Sequence, residues 1–237
     1  MDSTNNTFIF SLEGNIGVGK STIINLLKLN NFKFNKKFVY LEEPVNMWED
    51  VKDENGINIL ENYYKNTKQY AFKFQMLVYI SRLSLLRKTV KENPNSIILI
   101  ERSIYADKNI FVKMLYDNNK IDKTEYEIYN KLFNDFLDDV NISGIIYLQC
   151  KPDISLKRIK QRNRVGENLS IEYLENCNKY HEDWINNLKI PISVLNCNID
   201  MKTNPHIVST WISNIFKFIE KSVNKELKTN NHHSTSF

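Results

Sequence analysis

Gly14-Asn15-Ile16-Gly17-Val18-Gly19-Lys20-Ser21 is the stretch that decides how the rest of the chain is read. It follows a short apolar run, Phe8 to Leu12, and leads into Ser21 to Leu29, where apolar residues recur at helical spacing. A strand, a glycine-rich turn ending in Gly-Lys-Ser and then a helix is the setting in which GxxxxGK[ST] holds polyphosphate. Glycines let the backbone turn tightly enough to aim several N–H groups inward, and the start of the helix adds its partial positive charge. Lys20 supplies a mobile cation, and Ser21 a hydroxyl suited to Mg²⁺. A merely structural glycine turn is the alternative, and it would not need this context.

Working outward, short apolar runs alternate with longer stretches of helical period. The strand candidates are Phe8 to Leu12, Phe38 to Leu41, Ile97 to Ile100, Gly144 to Leu148 and Ile192 to Leu195. They lack strict alternation, as strands buried on both faces should. Helices are expected over Ser21 to Leu29, Gln69 to Lys91, Lys123 to Leu137, Ile154 to Gln161, Ile171 to Asn187 and Pro205 to Val223. The alternation predicts an α/β fold of the P-loop kinase type, a five-stranded parallel sheet with helices on both faces. Residues 1–224 are expected to form a single domain, and residues 225–237 a polar, disordered tail.

Composition narrows the function classes. The 237 residues are 42% hydrophobic and 25% charged, with a formal net charge of +4 and no run of basic residues, so no nucleic-acid partner is expected. Cys150, Cys177 and Cys197 have no CxxC spacing, which disfavours a zinc or redox site and suits a reducing compartment. No apolar run reaches transmembrane length, and Met1 to Thr7 is polar and leads at once into a strand. The expected location is cytoplasmic, with no membrane partner.

Asp53-Glu54-Asn55-Gly56 and Asn119-Lys120-Ile121-Asp122 match DxxG and NKxD, in the order of a small GTPase. There, both motifs hang from the ends of buried strands. Here neither follows a strand candidate, and both read as connecting turns.

Glu43, in Glu42-Glu43-Pro44-Val45-Asn46-Met47-Trp48, lies just beyond the second strand candidate. A carboxylate there could take the proton of a hydroxyl attacking a γ-phosphate, and Trp48 could wall a flat substrate; an acid before a proline turn could equally be a cap. Glu101 and Arg102 end the third strand candidate. Glu101 could hold Mg²⁺, and Arg102 could pair with Glu101 or face the reacting oxygens. Gln75, Val78 and Arg82 share one helix face, where an amide and a guanidinium could read a base edge, with Phe74 and Phe111 as stacking surfaces or simply as core. Arg158, Arg162 and Arg164 form a basic cluster that could close as a lid over transferring phosphate, or a solvated helix face.

Taken together, these pieces resemble the deoxynucleoside kinase family, in its deoxycytidine and deoxyguanosine kinase branch, from about Phe8 to Met201. The residues that carry the likeness are the P-loop, EEPVNMW, Tyr64 ahead of FKFQ, SRL, ERSIYADKNIF, IIYLQ, and RIKQRNR followed by EYLE. The resemblance implies ATP-dependent, Mg²⁺-dependent transfer to the 5′-hydroxyl of a deoxynucleoside, with Glu43 as general base. It implies Tyr64 and Glu167 on the sugar 3′-hydroxyl, Gln75 on the base, and Phe74 and Phe111 around it. Glu101 belongs near Mg²⁺, Arg102 near the 5′ oxygen, and Arg158, Arg162 and Arg164 in the lid. Arg82 and Asp107 are the pair that distinguishes users of cytosine and purine bases from thymidine users, so deoxycytidine, deoxyadenosine or deoxyguanosine is the expected substrate. A homodimer is also implied. Val78 replaces a smaller residue of deoxycytidine kinases, and Tyr70 a usual indole. A thymidylate-kinase-like monophosphate kinase and a GTP-binding switch are the alternatives.

Overall fold

All five apolar runs are strands, and four extend slightly beyond the expected ends: β1 Phe8–Glu13, β2 Phe38–Leu41, β3 Ile97–Glu101, β4 Gly144–Gln149 and β5 Ile192–Asn196. A computed structural model describes residues 6–30, 34–137, 140–164, 167–201 and 203–233. The strands form one parallel sheet in the order β2-β3-β1-β4-β5. Those in the middle are buried almost throughout, whereas β2 is half-buried and β5 is largely half-buried or exposed. The expectation of burial on both faces therefore fails at the two edges, where a strand has only one neighbour.

Pleating sends alternate residues of β1 to opposite faces. Phe8, Phe10 and Leu12 pack with Ile23, Ile24 and Leu27 of α1 (Lys20–Leu29) and with Ile212, Ile215, Phe216 and Ile219 of α10 (His206–His233). On the other face Ile9, Ile98 and Ile100 meet Tyr79, Leu83 and Leu86 of α4 (Thr67–Glu92) and Tyr129 and Phe133 of α7 (Lys123–Asp135). The chain leaves β1 towards β3 and β2 and later returns on the other side as β4 and β5. That topological switch opens a crevice at the carboxyl end of β1, where the P-loop lies.

Between β2 and α4 the chain forms α2 (Val45–Glu49) and α3 (Ile59–Lys65), and after β3 it forms α5 (Ile104–Ala106), a π-helical turn (Asp107–Val112) and α6 (Lys113–Asp117). The sequence suggests a helical stretch ending near Asp117, and the structure bears it out; the other short helices are too short to display a helical period. Helices α8 (Pro152–Arg162) and α9 (Ile171–Asn186) match the expected segments to within two residues at each end.

Within the expected tail, residues 225–233 continue α10, and residues 234–237 lie outside those described. Polar residues after Lys221 concealed an apolar face that Ile215, Ile219, Val223 and Leu227 carry at intervals of four, each set against the core.

The two GTPase-like segments are connectors. The Asp122 side chain caps α7 in a reciprocal capping box with Glu125, and the Asp53 carboxylate accepts from the Asn55 and Ile57 N–H groups and from Asn62 Nδ2. Neither segment lines the cleft described below.

Candidate active site

A cleft of about 930 Å³ opens at the carboxyl edge of the sheet, walled by the P-loop, the segments after β2 and β3, α4, and the start of α9. Ile16, Gly17, Val18, Gly19, Lys20 and Ser21 line it, whereas Gly14 and Asn15 lie behind. A Cβ on Gly14 would come 2.7 Å from the Leu148 carbonyl oxygen, and one on Gly17 2.7 Å from that of Ser155, both at positive φ. The loop can follow this path only with glycine at those positions. Asn15 donates to the Leu174 carbonyl (2.8 Å) and accepts from the Ile16 N–H, tying the loop to α9.

Lys20 is 6% exposed, and its ammonium donates to the carbonyls of Gly14 (3.1 Å) and Asn15 (2.9 Å). Burial first, and then Arg102, lowers its pKa to about 7, with Glu43, Glu101 and Glu13 pulling the other way. Only the ammonium attracts phosphate, so triphosphate binding should take up a proton above about pH 7 and weaken by up to about tenfold per pH unit. Calorimetry at pH 8 in buffers of different ionisation enthalpy would detect that uptake. Equal heats, with pH-independent affinity, would refute it.

Ser21 Oγ donates to Glu101 Oε1 at 2.8 Å, joining the start of α1 to the end of β3. The residues that follow form a tight corner. Arg102 has φ 65°, unusual for a side-chain-bearing residue, and its N–H donates to the Leu12 carbonyl. Glu13, fully buried and not anticipated, accepts from the Ser103 N–H at 2.9 Å and from Ser11 Oγ at 2.5 Å. It carries no motif signature; its signal was only a charged residue inside an apolar strand end.

At the acceptor end, Arg82 joins what the sequence kept apart. Its Nη2 donates to Glu43 Oε1 (2.7 Å), its Nη1 to the carbonyls of Glu101 (3.0 Å) and Arg102 (3.3 Å), and its Nε lies 3.2 Å from Asp107 Oδ2. Arg102 Nε also reaches Glu43 Oε1, at 3.2 Å. The carboxylate that Arg102 engages is therefore Glu43 and not Glu101, the acid considered for it. Burial would raise the Glu43 pKa, but Arg82, Arg102 and Lys20 outweigh it and hold the carboxyl well below the usual range. Asp107, 1% exposed, goes the other way: burial pushes it up to about 6 despite Arg82 and Arg102.

Flat surfaces surround this cluster. Trp48 donates through Nε1 to Ser81 Oγ, stands edge-on to Phe74 at 5.7 Å, and carries the Arg82 guanidinium over its ring at 5.3 Å. Phe111 lies 4.6 Å below the Arg102 guanidinium. Gln75 is 3% exposed, and its Oε1 has no hydrogen-bond partner, while Val78 is buried beside it on the cleft wall. Tyr64 and Glu167 also line the cleft, and the Glu167 carboxylate accepts from Arg162 Nη2 at 2.5 and 2.6 Å.

Among the lid candidates, Arg158 is anchored. Its Nη1 donates to the Val18 carbonyl (3.1 Å) and its Nη2 to that of Ile199 (3.3 Å), bracing the P-loop backbone. Arg162 is held by Glu167, and Arg164 is exposed at the cleft wall. Sequence reasoning missed Leu60, Tyr63 and the Asn198, Asp200 and Met201 group after β5, which line the cleft outside any motif, and gave no role to Tyr173, which lines it from within EYLE.

Comparison with known proteins places this chain in a family. The family profile for deoxynucleoside kinase matches residues 10–220. The chain belongs to the deoxynucleoside kinase family. A probable deoxycytidine kinase of fowlpox virus is 37% identical over 220 residues, covering 89% of this chain and 88% of that protein. Human deoxycytidine kinase is 33% identical over 223 residues, 81% of this chain and 84% of its own length. A mitochondrial deoxyguanosine kinase of Xenopus laevis is 30% identical, at 82% and 83% coverage. This chain is thus a kinase of nucleoside salvage, with ATP as the donor consistent with the family. Among the described residues of the kinase, no helix is long and apolar enough to cross a membrane.

Proposed function

We propose that this kinase phosphorylates the 5′-hydroxyl of deoxycytidine, deoxyadenosine or deoxyguanosine, using Glu43 as the proton acceptor and the Arg82–Asp107 pair to exclude thymidine. The observation that carries the reading is Arg82 itself, a buried guanidinium spanning Glu43 and Asp107 on the cleft wall beside the unpartnered Gln75 Oε1. A fork donor, an acid and an amide suit bases that present an amino group beside a ring nitrogen. The methyl group of thymine offers such groups no partner and would desolvate the ion pair.

Glu43 is ionised at any physiological pH and is a weak base. That suits phosphoryl transfer through a loose transition state, in which the attacking hydroxyl becomes acidic late and positioning matters more than basicity. Arg82 and Arg102 fix the carboxylate, and Arg102 also carries positive charge towards the 5′ oxygen. Lys20 and the P-loop N–H groups hold the polyphosphate. Arg164, with Arg162 and the anchored Arg158, shields the transfer from water.

The Ser21 hydroxyl and the Glu101 carboxylate, 2.8 Å apart, form a hard-oxygen pair that fits Mg²⁺. Among the described residues, no group of three or more His, Cys, Asp or Glu could hold a metal. The ion would therefore be held largely by phosphate and water, and when bound it offsets charge on the transferring group.

We further propose a cytoplasmic homodimer. Support comes from three buried, free cysteines and from Ile80, Ile128 and Phe136, large apolar side chains left exposed on α4, on α7 and just beyond α7.

The test is product analysis with Mg²⁺ and ATP against deoxycytidine, deoxyadenosine, deoxyguanosine, thymidine and dTMP. Monophosphate is expected from one or more of the first three. Product from dTMP alone would assign a monophosphate kinase, and rapid use of thymidine would overturn the role of Arg82 and Asp107.

A further inference from the structure

Tyr63 belongs to no motif and Tyr173 stands within EYLE without an assigned role, yet their hydroxyls meet at 3.4 Å across the cleft. Tyr63 lies on α3 and is 5% exposed; its ring packs on Phe74 at 4.8 Å, within the apolar cluster that α4 builds against the sheet. Tyr173 lies in the first turn of α9 and belongs to a separate cluster, with Phe111, Met114 and Cys177. The hydroxyl contact therefore ties together two apolar bodies that are otherwise packed on different parts of the fold.

The sugar-binding candidates straddle the same gap. Tyr64 directly follows Tyr63 on α3, and Glu167 stands three residues before Ser170, the residue that caps α9. Burial raises the Tyr64 phenol, and the next contribution is the charge of Glu167, so the two lie within electrostatic reach. Arg162 engages the Glu167 carboxylate from the α8 side, and its charge and that of Arg164 also act on the Tyr64 phenol.

We infer that Tyr63 and Tyr173 are a positioning pair that sets the α3-to-α9 spacing, and with it the grip of Tyr64 and Glu167 on the sugar 3′-hydroxyl. The inference rests on the reading of Tyr64 and Glu167 as 3′-hydroxyl partners. Neither tyrosine need touch the reacting atoms. Without the hydroxyl contact α3 and α9 are free to separate, and a bond pair that needs both sides is lost before the ring contacts are.

Tyr63→Phe and Tyr173→Phe each remove one hydroxyl and keep the aromatic packing. The measured quantity is the ratio of kcat/KM for the best deoxynucleoside to that for its 2′,3′-dideoxy counterpart. Each variant is expected to lower that ratio roughly three- to tenfold, and the double variant by no more than either single. General destabilisation would lower the melting temperature and leave the ratio where it was. An unchanged ratio in both single variants, or additive effects in the double, overturns the pair. A wild-type enzyme that does not distinguish the two substrates refutes the 3′-hydroxyl reading of Tyr64 and Glu167, and the pair's role falls with it.

Discussion

Replacing Glu43 with glutamine is expected to lower kcat by about a hundred- to ten-thousandfold, with nucleoside and triphosphate binding little changed. Glutamine keeps the length and one acceptor oxygen, so Arg82 Nη2 and Arg102 Nε retain a partner. What it removes is the capacity to take a proton. An enzyme whose acceptor is already ionised, as a nucleoside monophosphate is, would need no such group. Steady-state kinetics together with calorimetric affinities separate the two cases, and a variant within threefold or so of wild-type kcat would remove Glu43 from the chemistry. The carboxylate is still about one-fifth exposed (22%), so an acceptor hydroxyl can reach it without displacing either arginine.

The second large effect is on stability. Arg82→Met should destabilise the fold by about 3–5 kcal/mol, which for a chain of this size lowers the melting temperature by roughly 6–20 °C. The loss does not come from one surface bridge. Arg82 is 7% exposed and serves Asp107, Glu43 and two main-chain carbonyls, so its removal leaves a buried carboxyl without compensation.

The deficit should depend on pH in a definite sense. The Asp107 pKa in the fold, about 6, lies above its unfolded value, so the fold holds an extra proton and loses stability as pH rises through that range. Removing the nearest positive charge moves the folded value higher still. The penalty of Arg82→Met should therefore be smaller at pH 5.5 than at pH 7.5. Replacing Asp107 with alanine in the same chain should recover part of it. Denaturant melts at both pH values decide the matter; a penalty independent of pH would mean that Asp107 is not the strained group.

These two residues also mark what the sequence could and could not reveal. The P-loop was legible because phosphate chemistry dictates residue types at fixed spacing, and the strands were legible because central strands exclude polar residues. Glu43 and Glu101 were visible from their places at strand ends. The joining of Glu43, Arg82 and Asp107 was not, since they come from the segment after β2, from α4 and from a turn after β3, and only the fold brings them together. Arg158, expected in a lid, lines the cleft, and its grip on the Val18 and Ile199 carbonyls depends on backbone positions with no side-chain signature. Tyr63 and Glu13 were invisible for a related reason: an aromatic on a short helix looks like core, and a lone acid beside a glycine looks like part of a turn.

The π-helical turn at Asp107–Val112 has a wider bearing. A π turn accommodates one residue more than the α-helix would, and such turns persist mainly where function needs them. Deleting one residue there would let the segment close into an ordinary α-helix with better hydrogen bonds. It would also swing everything on one side by about 100° relative to the other. Asp107 and the Arg102 corner would then no longer face the same space as Phe111 and Met114, although every one of those side chains would still be present. On the proposed roles of Asp107 and Phe111, substrate choice in this kinase is written partly in chain length. A homologue could keep every recognition residue and still lose its base preference through a gap of one, a change that inspection of site residues alone would pass over.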